Sequence, residues 1–282
     1  MSVLTRRNCL LGSTGALAWL GLTSPCLASG VLGAGARAAS SPYAPSDASL
    51  ANFPSQPPQL VREMVGASHG NIERVNALLT QRPQLANAAW DWGFGDWETA
   101  LGAASHVGNR AIASILIDHG ARPDIFTLAM LGNLDAVRAA ITATPGIERS
   151  RGPHGITLAA HARAGGEPSA SVVAYLSTLP GADTPYPGVP LAAESRSIYL
   201  GDYRYAAGAD EIIEVRFQEK QAALSLGRVG GSWRGLTHLG GHAFHPAGAP
   251  DVTIAFELTA PDTPAVALSI RAPEEVLRAT RI

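Results

Sequence analysis

The spacing of apolar residues changes character along the chain. Between about residues 59 and 183 they recur at three- and four-residue intervals, as in Ile112, Ile115 and Leu116 or Leu134, Val137 and Ile141. That spacing predicts short amphipathic helices. From about residue 197 the period falls to two, with Tyr199, Gly201, Tyr203 and Tyr205 on alternate positions. Segments 212–217, 223–226, 252–258, 265–270 and 275–282 continue as predicted antiparallel strands, punctuated by glycines at 227–231, 240–241 and 248. Proline-rich stretches at 39–58 and 184–196 read as linkers, so the chain divides into a helical segment, 59–183, and a strand segment, 197–282.

Within the helical segment a glycine recurs where one helix must turn into the next, at Gly70, Gly108, Gly132 and Gly165. The intervals are 38 (70 to 108), 24 (108 to 132) and 33 (132 to 165) residues. The fullest copy, 99–124, runs from Thr99 through Ala103, Ala104 and Gly108 to Leu116, Gly120 and Asp124. It resembles the ankyrin pattern, and the resemblance implies an α-solenoid of about four irregular repeats. The strand segment carries Tyr199-Leu200-Gly201-Asp202-Tyr203, a stretch from Leu239 to Pro246, and a closing run from Ala267 to Pro273. These resemble the accessory β domain of beta-lactamase-like serine hydrolases. The expected fold class is therefore multidomain α + β, an ankyrin-type solenoid followed by a small all-β antiparallel sheet or barrel.

The long first interval is filled by an insert at 89–98 that holds Trp90, Trp92, Phe94, Asp96 and Trp97. Gly93 and Gly95 allow a tight hairpin there. In an ankyrin fold this segment is the projecting finger. Trp90 and Trp97 are placed to pack on the helices, with Trp92 and Phe94 the better exposed pair. Buried tryptophan dominates many protein interfaces, so this finger with nearby Ser105 and His106 is the expected protein-binding face.

Composition narrows the picture. The 282 residues are 46% hydrophobic and 16% charged, with a net charge of −2. No basic stripe is present, which argues against nucleic-acid binding. Thr5-Arg6-Arg7-Asn8-Cys9-Leu10-Leu11 resembles a twin-arginine export signal. The resemblance implies a leader over 1–38, cleavage after Ala28 or Ala38, and a periplasmic or secreted product. The apolar run after the arginines is too short and glycine-diluted for a stable membrane span. Both cysteines, Cys9 and Cys26, fall in that leader, so disulfides and thiolate metal sites are not expected in the remainder.

Two motifs could carry chemistry. Gly66-Ala67-Ser68-His69-Gly70 satisfies the G-x-S-x-G nucleophile elbow, but no apolar strand precedes it and Gly70 already serves the helix turn. The S-x-x-K pair of serine lactamases is absent, because Phe217 stands three positions before the sole lysine, Lys220. His238, His242 and His245 offer three imidazoles, enough for a zinc site with an open position; strand alternation, however, places His245 opposite the other two. His154 and His161 bracket the last predicted repeat. The expectation is a non-enzymatic binding protein of the cell envelope with no catalytic residues and no cofactor. Its partner would be an extracytoplasmic protein, and the β domain would serve as a second contact surface or a module for homo-oligomerisation. The alternative is a metal-binding or hydrolase-associated protein that uses the C-terminal histidines.

Overall fold

The computed structural model describes residues 55–219, 222–273 and 275–282. The expected leader, its cleavage sites, both cysteines and nearly all of the first linker lie outside the described residues. Among the described residues eight α-helices come first: α1 (Pro58–Ala67), α2 (Ile72–Gln81), α3 (Ala100–His106), α4 (Arg110–Asp118), α5 (Ile125–Met130), α6 (Leu134–Ala143), α7 (Leu158–Ala164) and α8 (Ala170–Leu176). They pack as consecutive pairs, and α3 touches α1, α5 and α7.

Local chemistry sets each helix start. Asn71, Asn109 and Asn133 cap α2, α4 and α6 by accepting the N–H three residues on, while Thr99, Asp124 and Thr157 do the same for α3, α5 and α7. Gly108 is required twice over. Its φ of +73° lies in the left-handed region, and a methyl group there would overlap the carbonyl of Ala164. The apolar faces then close a core around Leu116, Met130, Val137, Leu158, Val172 and Leu176, all fully buried.

A two-stranded hairpin, β1 (Ala89–Asp91) and β2 (Trp97–Thr99), interrupts the helices, with Trp90 opposite Glu98. After the helices come β3 (Gly201–Arg204), β4 (Ile212–Gln218), β5 (Ala223–Arg228), β6 (Arg234–Gly240), β7 (Ala243–Pro246), β8 (Thr253–Glu257), β9 (Ala267–Ala272) and β10 (Glu275–Arg281). They form a closed antiparallel barrel in which each strand pairs with its sequence neighbour and β10 returns to β3, with Thr280 opposite Arg204. The barrel is filled by Tyr199, Tyr203, Val215, Leu224, Phe244, Ile254, Phe256 and Leu268. Tyr199, Phe244 and Phe256 meet ring to ring at 4.9 to 5.6 Å. Closure removes the exposed strand edges an open sheet would present.

This architecture corrects the expected ankyrin-type solenoid with an appended accessory sheet. The molecule is a mixed α and β structure whose closed eight-stranded barrel joins short helices of six to ten residues. The turn glycines that suggested ankyrin repeats describe any helical hairpin, since Gly leaves one helix and the Asn after Gly70, Gly108 and Gly132 caps the next. They do not define how successive hairpins are arranged. The helical and barrel parts also belong to one compact unit.

The two parts are joined by a buried ion pair. Arg234, at the start of β6, donates to Asp96 of the hairpin and, at 2.7 Å, to the carbonyl of Ala247. The two side chains are 5% and 4% exposed. Gly248 follows with a φ of +82°, and a methyl group there would lie 2.5 Å from the Asp96 carboxyl carbon. Breaking one partner of a buried pair strands the other charge, which costs about 3–5 kcal/mol. We expect Asp96→Asn and Arg234→Met each to destabilise by about 3 kcal/mol in denaturant titrations. The double variant should lose less than the sum of the two, and additive losses would argue against a coupled pair.

Candidate metal centre

The hairpin inverts the usual sorting of polar and apolar side chains. Strand alternation sends Asp96 and Glu98 to the same face, where they are 4% and 1% exposed, while Trp97 between them is 63% exposed. The acids turn inward because cations and imidazoles wait there. His69 lies in the turn after α1, His106 ends α3, and His154 occupies the short turn before α7. His69 and His106 hold equivalent places, each following a buried serine, Ser68 or Ser105, just ahead of a turn glycine.

Four ligand atoms converge, all within 4.8 Å of one another: one nitrogen each from His69, His106 and His154, and a Glu98 oxygen. His69 Nε2 and His106 Nε2 are 3.1 Å apart. Glu98 Oε1 lies 2.9 Å from His106 Nε2 and 3.4 Å from His154 Nε2, and Glu98 Oε2 lies 3.6 Å from His69 Nε2. Ligands about 2.0–2.1 Å from a tetrahedral ion sit about 3.3 Å from one another, so these separations match the edges of a coordination polyhedron. Glu98 Oε1 is buried yet makes no hydrogen bond of good geometry.

The outer contacts orient the imidazoles for that role. His154 donates from Nδ1 to Asp96 Oδ2 at 2.7 Å, and its backbone N–H donates to Asp96 Oδ1 at 2.9 Å. His69 donates from Nδ1 to the carbonyl of Gly66 at 3.1 Å. Both rings therefore turn Nε2 toward the centre, the arrangement found behind most metal-bound histidines. Trp92 donates from Nε1 to Glu98 Oε2 at 2.6 Å, which leaves Oε1 to face the imidazoles. His154 is held in the left-handed region at φ +61°, a strained conformation for a side-chain-bearing residue that surrounding bonds must enforce.

Burial disfavours charge throughout this cluster, but the pairing outweighs it at three groups. His154 is raised to about 9 by its hydrogen bond to Asp96 and by the Glu98 and Asp96 charges beside it. Glu98 is held far below the usual carboxylate range by His106, His154 and His69, and Asp96 is lowered by His154 and Arg234. Beside them His161 is pushed down to about 4, first by burial and then by the neighbouring His106. It stays neutral, and its Nδ1 meets the Ser105 hydroxyl at 3.0 Å.

The sequence-derived candidates separate accordingly. Trp92, Asp96, Ser105 and His106 come together at or behind this centre. Trp90 is half-buried on β1, Phe94 is exposed at the hairpin tip, and Trp97 faces outward rather than packing on the helices. Ser68 is fully buried and donates to the Met64 carbonyl within its own helix, so it is no nucleophile. The C-terminal histidines do not converge as a ligand set among the described residues. His238 meets the Gly241 carbonyl, His242 meets the Tyr199 hydroxyl, and His245 meets the Pro246 carbonyl. Sequence reasoning missed His69, Glu98 and His154 as site residues. The recurring Ser-His pair ahead of Gly70 and Gly108 was the available signal for His69, whereas nothing local marked His154.

No family model matches the chain, and no curated protein matches it. The crystal structure of SurE is similar over 43% of this chain and 27% of its own length, at 21% identity and a TM-score of 0.23. An overlap that small carries no argument about the fold. The ankyrin, twin-arginine and accessory-domain resemblances thus find no support in a family model, and the chain is characterised by its own geometry: helix pairs, a closed barrel, and a three-histidine, one-glutamate cluster where they meet.

Proposed function

We propose that this protein binds one divalent transition-metal ion of the zinc class through His69, His106, His154 and Glu98. The observation that carries the reading is the convergence of three imidazoles and a buried carboxylate, with the far nitrogens of His69 and His154 already committed to acceptors. Three nitrogens and one oxygen suit zinc and its d-block neighbours, while calcium and magnesium require oxygen-rich shells. Asp96 is a positioning residue: it holds His154 at both backbone and ring, and Arg234 holds Asp96. The His69 and His154 side chains are about one-third and one-quarter exposed, so the centre is open to solvent on that side.

Elemental analysis of the full chain, purified without an affinity tag and reloaded with zinc, should give close to one equivalent of metal. His106→Ala should abolish stoichiometric binding. Asp96→Asn should weaken it about 10- to 100-fold, as loss of an outer-shell partner does. Cobalt substitution should give the visible absorption of an ion with nitrogen ligands. Fewer than about 0.1 equivalents in a folded wild-type sample, set against the single ion this cluster would hold, would falsify the reading.

The pH dependence has opposite signs with and without the ion. In the metal-free chain His154 gains a proton on folding, because its pKa is raised from 6.5 to about 9. Its stabilisation is fully present below pH 6.5 and is lost as pH rises through 9. Metal binding displaces that proton, so the increment in melting temperature on adding zinc should grow from pH 6 to pH 8. An increment that shrinks over this range would contradict the ligand assignment.

A second reading keeps the hairpin as a protein contact, favoured by the outward Trp97 and the exposed Phe94. Trp97→Ala combined with Phe94→Ala should then lose a partner that the wild-type chain retains in a pull-down. Unchanged recovery removes the hairpin from that role.

A further inference from the structure

The barrel is closed but not evenly laced. Strands β5 and β6 pair only at Ser225 with Gly235 and Leu226 with Arg234, and then diverge. The second linker runs into the gap, where the Val189 N–H donates to the His238 carbonyl at 2.8 Å. Between linker and strands lies a cavity of about 510 Å³, within the range of small-molecule sites. Its walls include Phe217, Leu224, Leu236 and Phe244, the inward-facing residues of β4 to β7.

Two polar groups at the cavity, the half-exposed Arg196 and His238, have nitrogens without a hydrogen-bond partner among the described residues. The Arg196 guanidinium lies over the Phe217 ring at 4.6 Å and makes no hydrogen bond or ion pair there. His238 donates from Nε2 to the Gly241 carbonyl, which leaves its buried Nδ1 unsatisfied. The guanidinium fork of Arg196 is thus open beside the cavity, and such a fork matches a carboxylate in two parallel bonds. We infer that the cavity binds an amphipathic monocarboxylate, its carboxylate on Arg196 and its apolar body among Phe217, Leu224, Leu236 and Phe244. The site is separate from the metal centre and does not depend on it.

Calorimetric titration of the full chain with decanoate, in the presence of EDTA, tests the inference. Saturable binding near one equivalent is expected, with decanol of equal chain length at least tenfold weaker. Arg196→Gln should weaken decanoate at least tenfold, leave decanol unchanged, and retain the wild-type circular dichroism spectrum and melting temperature. Equal affinity for decanol and decanoate would overturn the assignment, and that comparison needs no variant if Arg196→Gln fails to fold. Absence of saturable binding, or an unaltered decanoate affinity in Arg196→Gln, would do the same. Binding seen only without EDTA would transfer the carboxylate to the metal centre and likewise reject the cavity as its site.

Discussion

The carboxylate of Asp96 is the point on which both halves of the molecule rest. One oxygen takes the backbone N–H of His154; the other takes the His154 ring and the Arg234 guanidinium. Removing these charges from water is unfavourable, and only their mutual pairing and hydrogen bonds offset it. The geometry is correspondingly specific. The barrel meets the hairpin where β6 presents Arg234 and where Gly248 lets the next turn approach without a side chain in the way. The orientation of one proposed ligand, His154, is thus set by the position of a barrel strand.

The same pairing balances the charges of the cluster. Glu98 and Asp96 are balanced by Arg234 and by the proton on His154. A divalent ion entering the cluster would displace that proton, so the local charge rises by one rather than two. Glu98 is already held by Trp92 and His154 by Asp96, so little side-chain entropy remains to be lost when the four groups close on an ion.

Much of the local structure was legible in the sequence. Gly70-Asn71, Gly108-Asn109 and Gly132-Asn133 act within one turn of chain, so their meaning survives without tertiary context. Alternation at Tyr199, Tyr203 and Tyr205 announced a strand, of which only Gly201–Arg204 formed, with Tyr199 closing the turn before it. Closure was not legible, because it rests on β10 meeting β3 across seventy-five intervening residues (Arg204 to Thr280), and no local pattern encodes that pairing. The ankyrin resemblance failed for a related reason, since turn chemistry defines a helical hairpin and not the company it keeps. At the site, the hairpin over 89–98 was recognised but its faces were exchanged: tryptophan was assigned inward by its hydrophobicity, whereas the acids hold the inner face because Arg234 and three histidines compensate them. His154, with its left-handed backbone, takes its place from Asp96, a residue 58 positions away.

The gap between β5 and β6 has a consequence for how the chain avoids self-association. Where β6 leaves its neighbour, its backbone would form a free edge able to recruit a strand from another molecule. Val189 occupies that edge, and Gly188 lets the linker lie directly on Thr237, where any added side chain would collide. The stretch between the helices and the barrel is therefore a fixed-length gatekeeper as well as a tether. Its length must deliver position 189 in register with His238.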